Sequence, residues 1–319
     1  MKRKYENRRN FDEALFRKNL LQRKIAIWLA ILVAIPFLLF VSGFILHQRH
    51  YLIISLFVII VTMVPFFVSF EYRALRAREI VLLAMMISFC VAVNLLCSHT
   101  IPLHGGSAMV VLTGIALGPE AGFLTGALGR FLCNFFDGQG PWTPWQMASW
   151  GLIGFVSGAV FVRYRSEENK TAKKGSYLIL FAAVLVCEVA GYLWLLLQGG
   201  NFGDMKGWML YAFGMAGLVL GGILQRKRLP TDTLVMTVFT FLIIFILYGG
   251  IMNFATMVLQ TAYTTGEKMS LHALKALYIT GVPYDTMHGA GAALCVFLMG
   301  EPFLKKLERV QIKYGIYRL

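Results

Sequence analysis

Ten apolar runs alternate with short polar stretches, at about residues 25–46, 51–70, 79–98, 105–118, 120–137, 145–163, 176–198, 207–226, 233–260 and 283–300. A helix needs about 20 mostly apolar residues to cross a bilayer, so the pattern predicts an all-α, polytopic membrane bundle of about ten transmembrane helices. Composition agrees: 58% of the chain is hydrophobic and 14% charged, too apolar for a water-soluble enzyme of this length.

The net charge of +14 changes the picture only through its placement. With the N-terminus inside, ten crossings return the C-terminus inside, and 25 of the 30 Lys and Arg fall on the inner face. Arg49, Lys206, Lys268 and Lys275 lie outside and Arg130 lies within a span. This is the positive-inside bias of a multi-pass cell-membrane protein, of bacterial type, with both termini cytoplasmic. The basic residues are spread over loops and form no basic surface for nucleic acid. Residues 1–24 read as a basic cytoplasmic segment. The run at 25–46 lacks a small-residue cleavage site, so 25–70 is expected to stay as an accessory transmembrane hairpin.

Several chemistries are set aside. The cysteines 90, 97, 133, 187 and 295 all lie in apolar spans and form no C-x-x-C pair, which suits packing better than disulfides or a metal site. No G-x-x-x-x-G-K-[ST] loop is present, so the chain is expected to hold no nucleotide or other cofactor of its own. The His104-Gly-Gly-Ser107 stretch lacks the strand-to-helix elbow that makes a serine reactive, and no enzyme activity is expected.

The stretch from Ile101 to Gly140 is rich in glycine. Gly114, Gly118, Gly122 and Gly126 recur every four residues, which permits close helix approach, and the stretch reads as two short helices joined at Gly118-Pro119. Glu120 then sits at a helix start, where a carboxylate suits the dipole. Two charges fall near the middle of spans, Arg130 and Glu188. Each costs about 2.5–3.5 kcal/mol at a helix centre on insertion scales, so an intramembrane Arg130–Glu188 pair is the economical expectation. The pair reads either as a structural lock or as Arg130 holding an anionic group of a substrate.

All six histidines (47, 50, 99, 104, 272 and 288) fall on the outer side in this topology, with Asn134, Asp137, Gln139, Trp142, Trp145, Asn201, Asp204 and Asp285. An outward pocket is implied, with Asn134, Asp137, Trp142, Trp145, Asp285 and His288 as substrate-binding residues. Trp142 and Trp145 fit either an interfacial aromatic belt or a rigid loop, set by Pro141 and Pro144, that grips a flat heterocycle. Pro283 is expected in the first turn of the last helix, with Asp285 and His288 three apart on one face.

Four stretches in order, HGGSAMVVLTGIALGPEAGFLTGALG, GPWTPWQMASWGLIGFVSG, GVPYDTMH and LERVQIKYG, resemble the substrate-binding S components of energy-coupling factor (ECF) transporters, over about residues 79–317. The resemblance implies a six-helix core within 79–305, a cytoplasmic tail at 306–319, and 176–226 as a possible inserted hairpin. It implies a receptor that captures a vitamin-like molecule from outside and delivers it through a transmembrane coupling subunit and two ATPase subunits, which use the ATP. The small-residue docking face of such proteins corresponds here to Ala84, Ser88 and Ala92. Metal uptake fits less well, because the relevant relatives begin Met-His and this chain begins Met-Lys-Arg. The solute stays open, a corrinoid or another vitamin. The alternative is a self-sufficient secondary transporter or channel, with Arg130 and Glu188 as intramembrane charges coupled to Asp285.

Overall fold

The structure is a computed structural model that describes residues 77–100, 104–161, 178–200, 207–225, 228–263 and 271–316, with five isolated positions between 56 and 64. The expected N-terminal segment and nearly all of the expected 25–70 hairpin lie outside the described residues. Chain contacts group Met1–Arg73 and Ala74–Leu319 as separate units, and the second is the one described below.

That unit is all-α among its described residues apart from one isolated bridge between Phe161 and Leu229. The described residues form eight helices: α1 (Ala77–Thr100), α2 (Gly105–Leu117), α3 (Pro119–Asp137), α4 (Thr143–Val160), α5 (Leu178–Leu197), α6 (Trp208–Leu224), α7 and α8. Helix α7 runs from Thr233–Leu242 through a π-helical stretch, Ile243–Tyr248, into Gly249–Tyr263. Helix α8 is a single 44-residue rod, Leu271–Tyr314.

This corrects the expected bundle of ten transmembrane helices around a six-helix core. Only four described segments are long and apolar enough to cross a bilayer: Ala77–Ser98, Ile179–Leu197, Thr233–Gln260 and Lys275–Tyr314. Apolar runs in a sequence do not distinguish a crossing from a short helix buried in protein. Helix α2 has 13 residues, every one buried, and at 1.5 Å per residue it extends only about 20 Å. Glycines and polar side chains interrupt α3 and α4, whose apolar positions serve helix contacts. The outer faces of the long helices are apolar and exposed, as at Val81, Phe89, Leu185, Leu193 and Leu298, which suits lipid contact. The protein is therefore a multi-pass α-helical membrane protein.

Pro283 also departs from expectation. It lies inside α8, with Pro302, and not in a first turn. The preceding LHALKALYITGV is itself helix-forming, and membrane helices tolerate proline where neighbours re-satisfy the freed carbonyl.

Glycine makes the centre of the unit. Gly118, at φ 103°, turns the chain between α2 and α3, and only a residue without a side chain adopts that angle readily. A Cβ on Gly114 or Gly122 would overlap the Gly154 carbonyl of α4, and one on Gly126 would overlap the Trp150 carbonyl. Helices α2, α3 and α4 thus meet backbone to backbone, as the four-residue glycine spacing suggested. Helices α5 and α6 pair in the same manner, with Gly217 against Val184 and Gly221 against Leu180. Trp145, Trp150, Phe123, Phe161 and Phe239 are the bulkiest fully buried side chains.

Candidate functional site

Polar side chains inside this apolar bundle gather in three places. The first joins the start of α2 to the middle of α8. The Ser107 hydroxyl lies 2.8 Å from His288 Nε2, with Ser107 fully buried and His288 1% exposed. The His104 ring stacks on His288 at 4.0 Å between centroids, tilted by 31°. Tyr248, at the end of the π-helical stretch, meets His288 edge-on at 4.6 Å, and Tyr284 approaches both imidazoles edge-on. Gly106 makes room here, because a Cβ would fall 2.8 Å from the Trp150 ring and from Asn94.

The second lies between α3 and α4. Arg130, Asn134 and Asp137 share one face of α3, as their three- and four-residue spacing requires. Arg130 forms an ion pair with Asp137 at 3.3 Å, and its Nε donates to Gln146 Oε1 at 3.1 Å. Asn134 Nδ2 donates to the same Gln146 oxygen at 2.8 Å and to Thr143 Oγ1 at 3.0 Å. Thr143 donates to Gln139 Oε1, and Gln139 in turn donates to the Phe131 carbonyl, which closes the loop before α4. The Arg130 guanidinium lies 5.3 Å from the centre of the Trp150 ring, the same ring that closes on Gly106. Trp150 therefore bridges the first two groups.

The third is centred on Asp285 of α8, 3% exposed. Its Oδ2 accepts from the Tyr211 hydroxyl of α6 at 2.6 Å and from Asn253 Nδ2 of α7 at 2.8 Å. Gly249 gives the carboxylate its space, since a Cβ there would fall 2.6 Å from the Asp285 carboxyl carbon. Tyr278 donates to the Gly250 carbonyl, and Tyr211 stacks on Phe245 at 5.2 Å between ring centres. Helices α5 and α6 therefore do more than decorate the bundle, because α6 contributes a direct ligand to a buried carboxylate.

Sequence-predicted positions fall unevenly on this map. Asn134 and Asp137 sit in the second group, His288 in the first and Asp285 in the third. Asp285 and His288 do share a side of α8 but bond to different partners. Trp145 is fully buried beside Phe254, whereas Trp142 is 40% exposed and packs over Gly140, so the two tryptophans form no joint clamp. The expected Arg130–Glu188 pair is not formed. Arg130 has a carboxylate two turns along its own helix, and Glu188 instead lies against Gly214, with Oε2 buried and without a hydrogen-bond partner among the described residues. Ala84, Ser88 and Ala92 share an exposed face of α1, where Ser88 bonds back to the Ala84 carbonyl. His47, His50, Asn201 and Asp204 lie outside the described residues.

Sequence reasoning missed Tyr211, Tyr248, Trp150, Gln146 and Asn253. Only Asn253 carried a clear signal, as a carboxamide within an otherwise apolar run. Tyrosines and tryptophans in such runs look the same whether they face lipid or a site. Among the described residues no three His, Cys, Asp or Glu side chains converge as metal ligands.

Comparison with known proteins places part of this arrangement. Residues 74–199 match the family model described as ECF-type riboflavin transporter, S component. A UPF0397 protein of Aliivibrio fischeri strain MJ11 is 31% identical over 87 residues, 27% of this chain and 46% of that protein. A UPF0397 protein of Vibrio atlanticus strain LGP32 is likewise 31% identical over 87 residues, 47% of its length. The chain thus spans about half the length of the curated relatives it matches. No solved structure matches it. The family-model match relates the segment from α1 to α5 to ECF S components in general. Tyr211, Tyr248, Asn253, Asp285 and His288 lie beyond the matched residues.

Proposed function

We propose that the protein is the substrate-specific membrane subunit of an ECF-type importer, which captures a vitamin-like, flat heterocyclic molecule from outside and hands it to an ATP-driven partner. One observation carries this reading. Among the described residues His104 Nδ1, His288 Nδ1, Trp145 Nε1 and Asn134 Oδ1 are all buried and lack a hydrogen-bond partner. Buried polar atoms are nearly always paired, and several orphans among aromatic rings suit a planar ligand that supplies the missing donors and acceptors. The family match over residues 74–199 supports the receptor role, and riboflavin, the substrate in that family's description, is a flat heterocycle. His288 and its neighbour Tyr248 come from α8 and α7, outside the match, so the reading stops at the class of solute.

Under this reading a transmembrane coupling subunit docks on the Ala84, Ser88 and Ala92 face and two ATPases drive release, with both termini of this chain cytoplasmic. The competing reading, a self-sufficient secondary transporter, needs a relay of intramembrane charges. Arg130 is already neutralised by Asp137, which leaves no Arg130–Glu188 step in such a relay.

Reconstitution separates the two. The purified full chain, alone in ATP-free vesicles, is expected to show no accumulation of riboflavin or of any solute recovered with it, under either a proton or a sodium gradient. Gradient-driven accumulation by the chain alone would overturn the proposal.

A further inference from the structure

One cavity among the described residues takes no part in the polar groups of the bundle. It has a volume of about 230 Å³ and lies where α5 ends and α6 and α8 begin, lined by Leu195, Gly207, Trp208, Met209, Lys275 and Ile279. None of the residues with buried unpaired atoms proposed above to meet the solute, His104, Asn134, Trp145 and His288, lines it. It is also smaller than the about 300–1,000 Å³ of a pocket that encloses a drug-sized molecule, so it takes one end of a ligand and leaves the rest outside.

The floor and the rim of this cavity differ in chemistry. Leu195, Gly207 and Met209 are buried, Leu195 and Met209 belong to one apolar cluster, and half-buried Trp208 packs against it. Lys275 and Ile279 are exposed and stand one turn apart on one face of α8, so the cavity opens along that face. Leu197 ends one bilayer-length apolar segment, Ile179–Leu197, and Lys275 begins another, Lys275–Tyr314, which puts the opening at a membrane boundary. Ile279 then lies about 6 Å deeper than Lys275. The last turns of α5 beside it expose Leu193, Trp194, Leu196 and Leu197, as a lipid-facing wall does. Among the described residues no carboxylate pairs with Lys275.

A cation at the boundary with apolar walls running inward from it matches an amphiphile in its bilayer orientation, anionic head outermost and chain inward. A water-soluble anion gains nothing from the apolar floor, and a lipid without net charge gains little from Lys275. We infer that this cavity binds an anionic phospholipid, whose phosphate pairs with Lys275 and whose acyl chain passes Ile279 onto Leu195 and Met209. The lipid bridges the α5–α6 pair to α8 and so adds to the bond that Tyr211 of α6 makes to Asp285 of α8. The inference stands apart from the identity of the solute and from the importer reading.

Native mass spectrometry of the purified full chain in mild detergent, titrated with phosphatidylglycerol or with phosphatidylcholine of the same acyl chains, tests it. The wild type is expected to bind phosphatidylglycerol about fivefold more tightly, the effect of one lysine near an anionic membrane surface. Lys275→Gln is expected to erase that preference and Lys275→Arg to keep it. Ile279→Trp fills the cavity and is expected to weaken both lipids. Both positions are exposed, so the variants should keep the parent's melting temperature, and either one suffices if the other does not fold. Free glycerol phosphate is expected not to displace the lipid. Equal binding of the two lipids by the wild type, an unchanged preference in Lys275→Gln, or unweakened binding in Ile279→Trp would overturn the inference. Displacement by glycerol phosphate at the lipid's own concentration would also overturn it, and would assign the cavity to a free phosphate.

Discussion

Gly154→Leu is expected to abolish the folded membrane domain. The Gly154 position is pressed against the backbone of Gly122, and a Cβ there would overlap the Gly122 carbonyl. An overpacked core usually relaxes by rotating side chains, at about 1–3 kcal/mol. Here the obstacle is main chain, so α3 and α4 must separate, and the contacts of Gly114 with Gly154 and of Gly158 with Pro119 separate with them. The loss therefore approaches the whole stability of an ordinary domain, about 5–15 kcal/mol. Size-exclusion chromatography of fluorescently tagged protein in mild detergent should show aggregate and no monodisperse peak. Gly222→Leu is the control: nothing lies within 4 Å of a Cβ there, and that variant should elute as the parent does.

Ala84→Trp with Ala92→Trp is expected to stop uptake and leave solute binding intact. Ala84, Ser88 and Ala92 lie on the exposed side of α1, whereas the side of α1 that meets the site carries Asn94 and Cys90, both buried. Small residues let a partner helix approach closely, and two indoles on that face hold it away. Uptake in whole cells should fall to background, while the purified variant keeps its melting temperature and its affinity for the solute. Normal uptake would place the partner surface elsewhere on the molecule.

The glycine framework was legible in the sequence because its signal is a spacing: four glycines at intervals of four have few other uses in a membrane helix. Arg130, Asn134, Asp137, Asp285 and His288 stood out for a related reason, since polar groups in apolar runs are costly. Their partners did not. Pairing opposite charges by predicted depth joined Arg130 to Glu188, but a carboxylate two turns along α3 was closer than one on another helix. The helix count failed because hydropathy reports apolarity and not length through the bilayer, so the short, fully buried α2 reads like a span. Tyr211 and Tyr248 gave no warning, because an aromatic residue in an apolar run has the same appearance whether it meets lipid or a carboxylate. Trp142 and Trp145 were equally prominent in the sequence, and only packing separates the buried one from the exposed one.

The most direct measurement is native mass spectrometry of the full chain released from mild detergent after purification from its own membrane. One small heterocyclic molecule per chain is expected, retained by the parent and weakened about tenfold or more in His288→Ala, where a buried ligand group loses a partner worth about 1–3 kcal/mol. A parent protein that carries no such molecule and binds no riboflavin would contradict the account, as would a molecule held equally tightly by His288→Ala and Trp145→Ala.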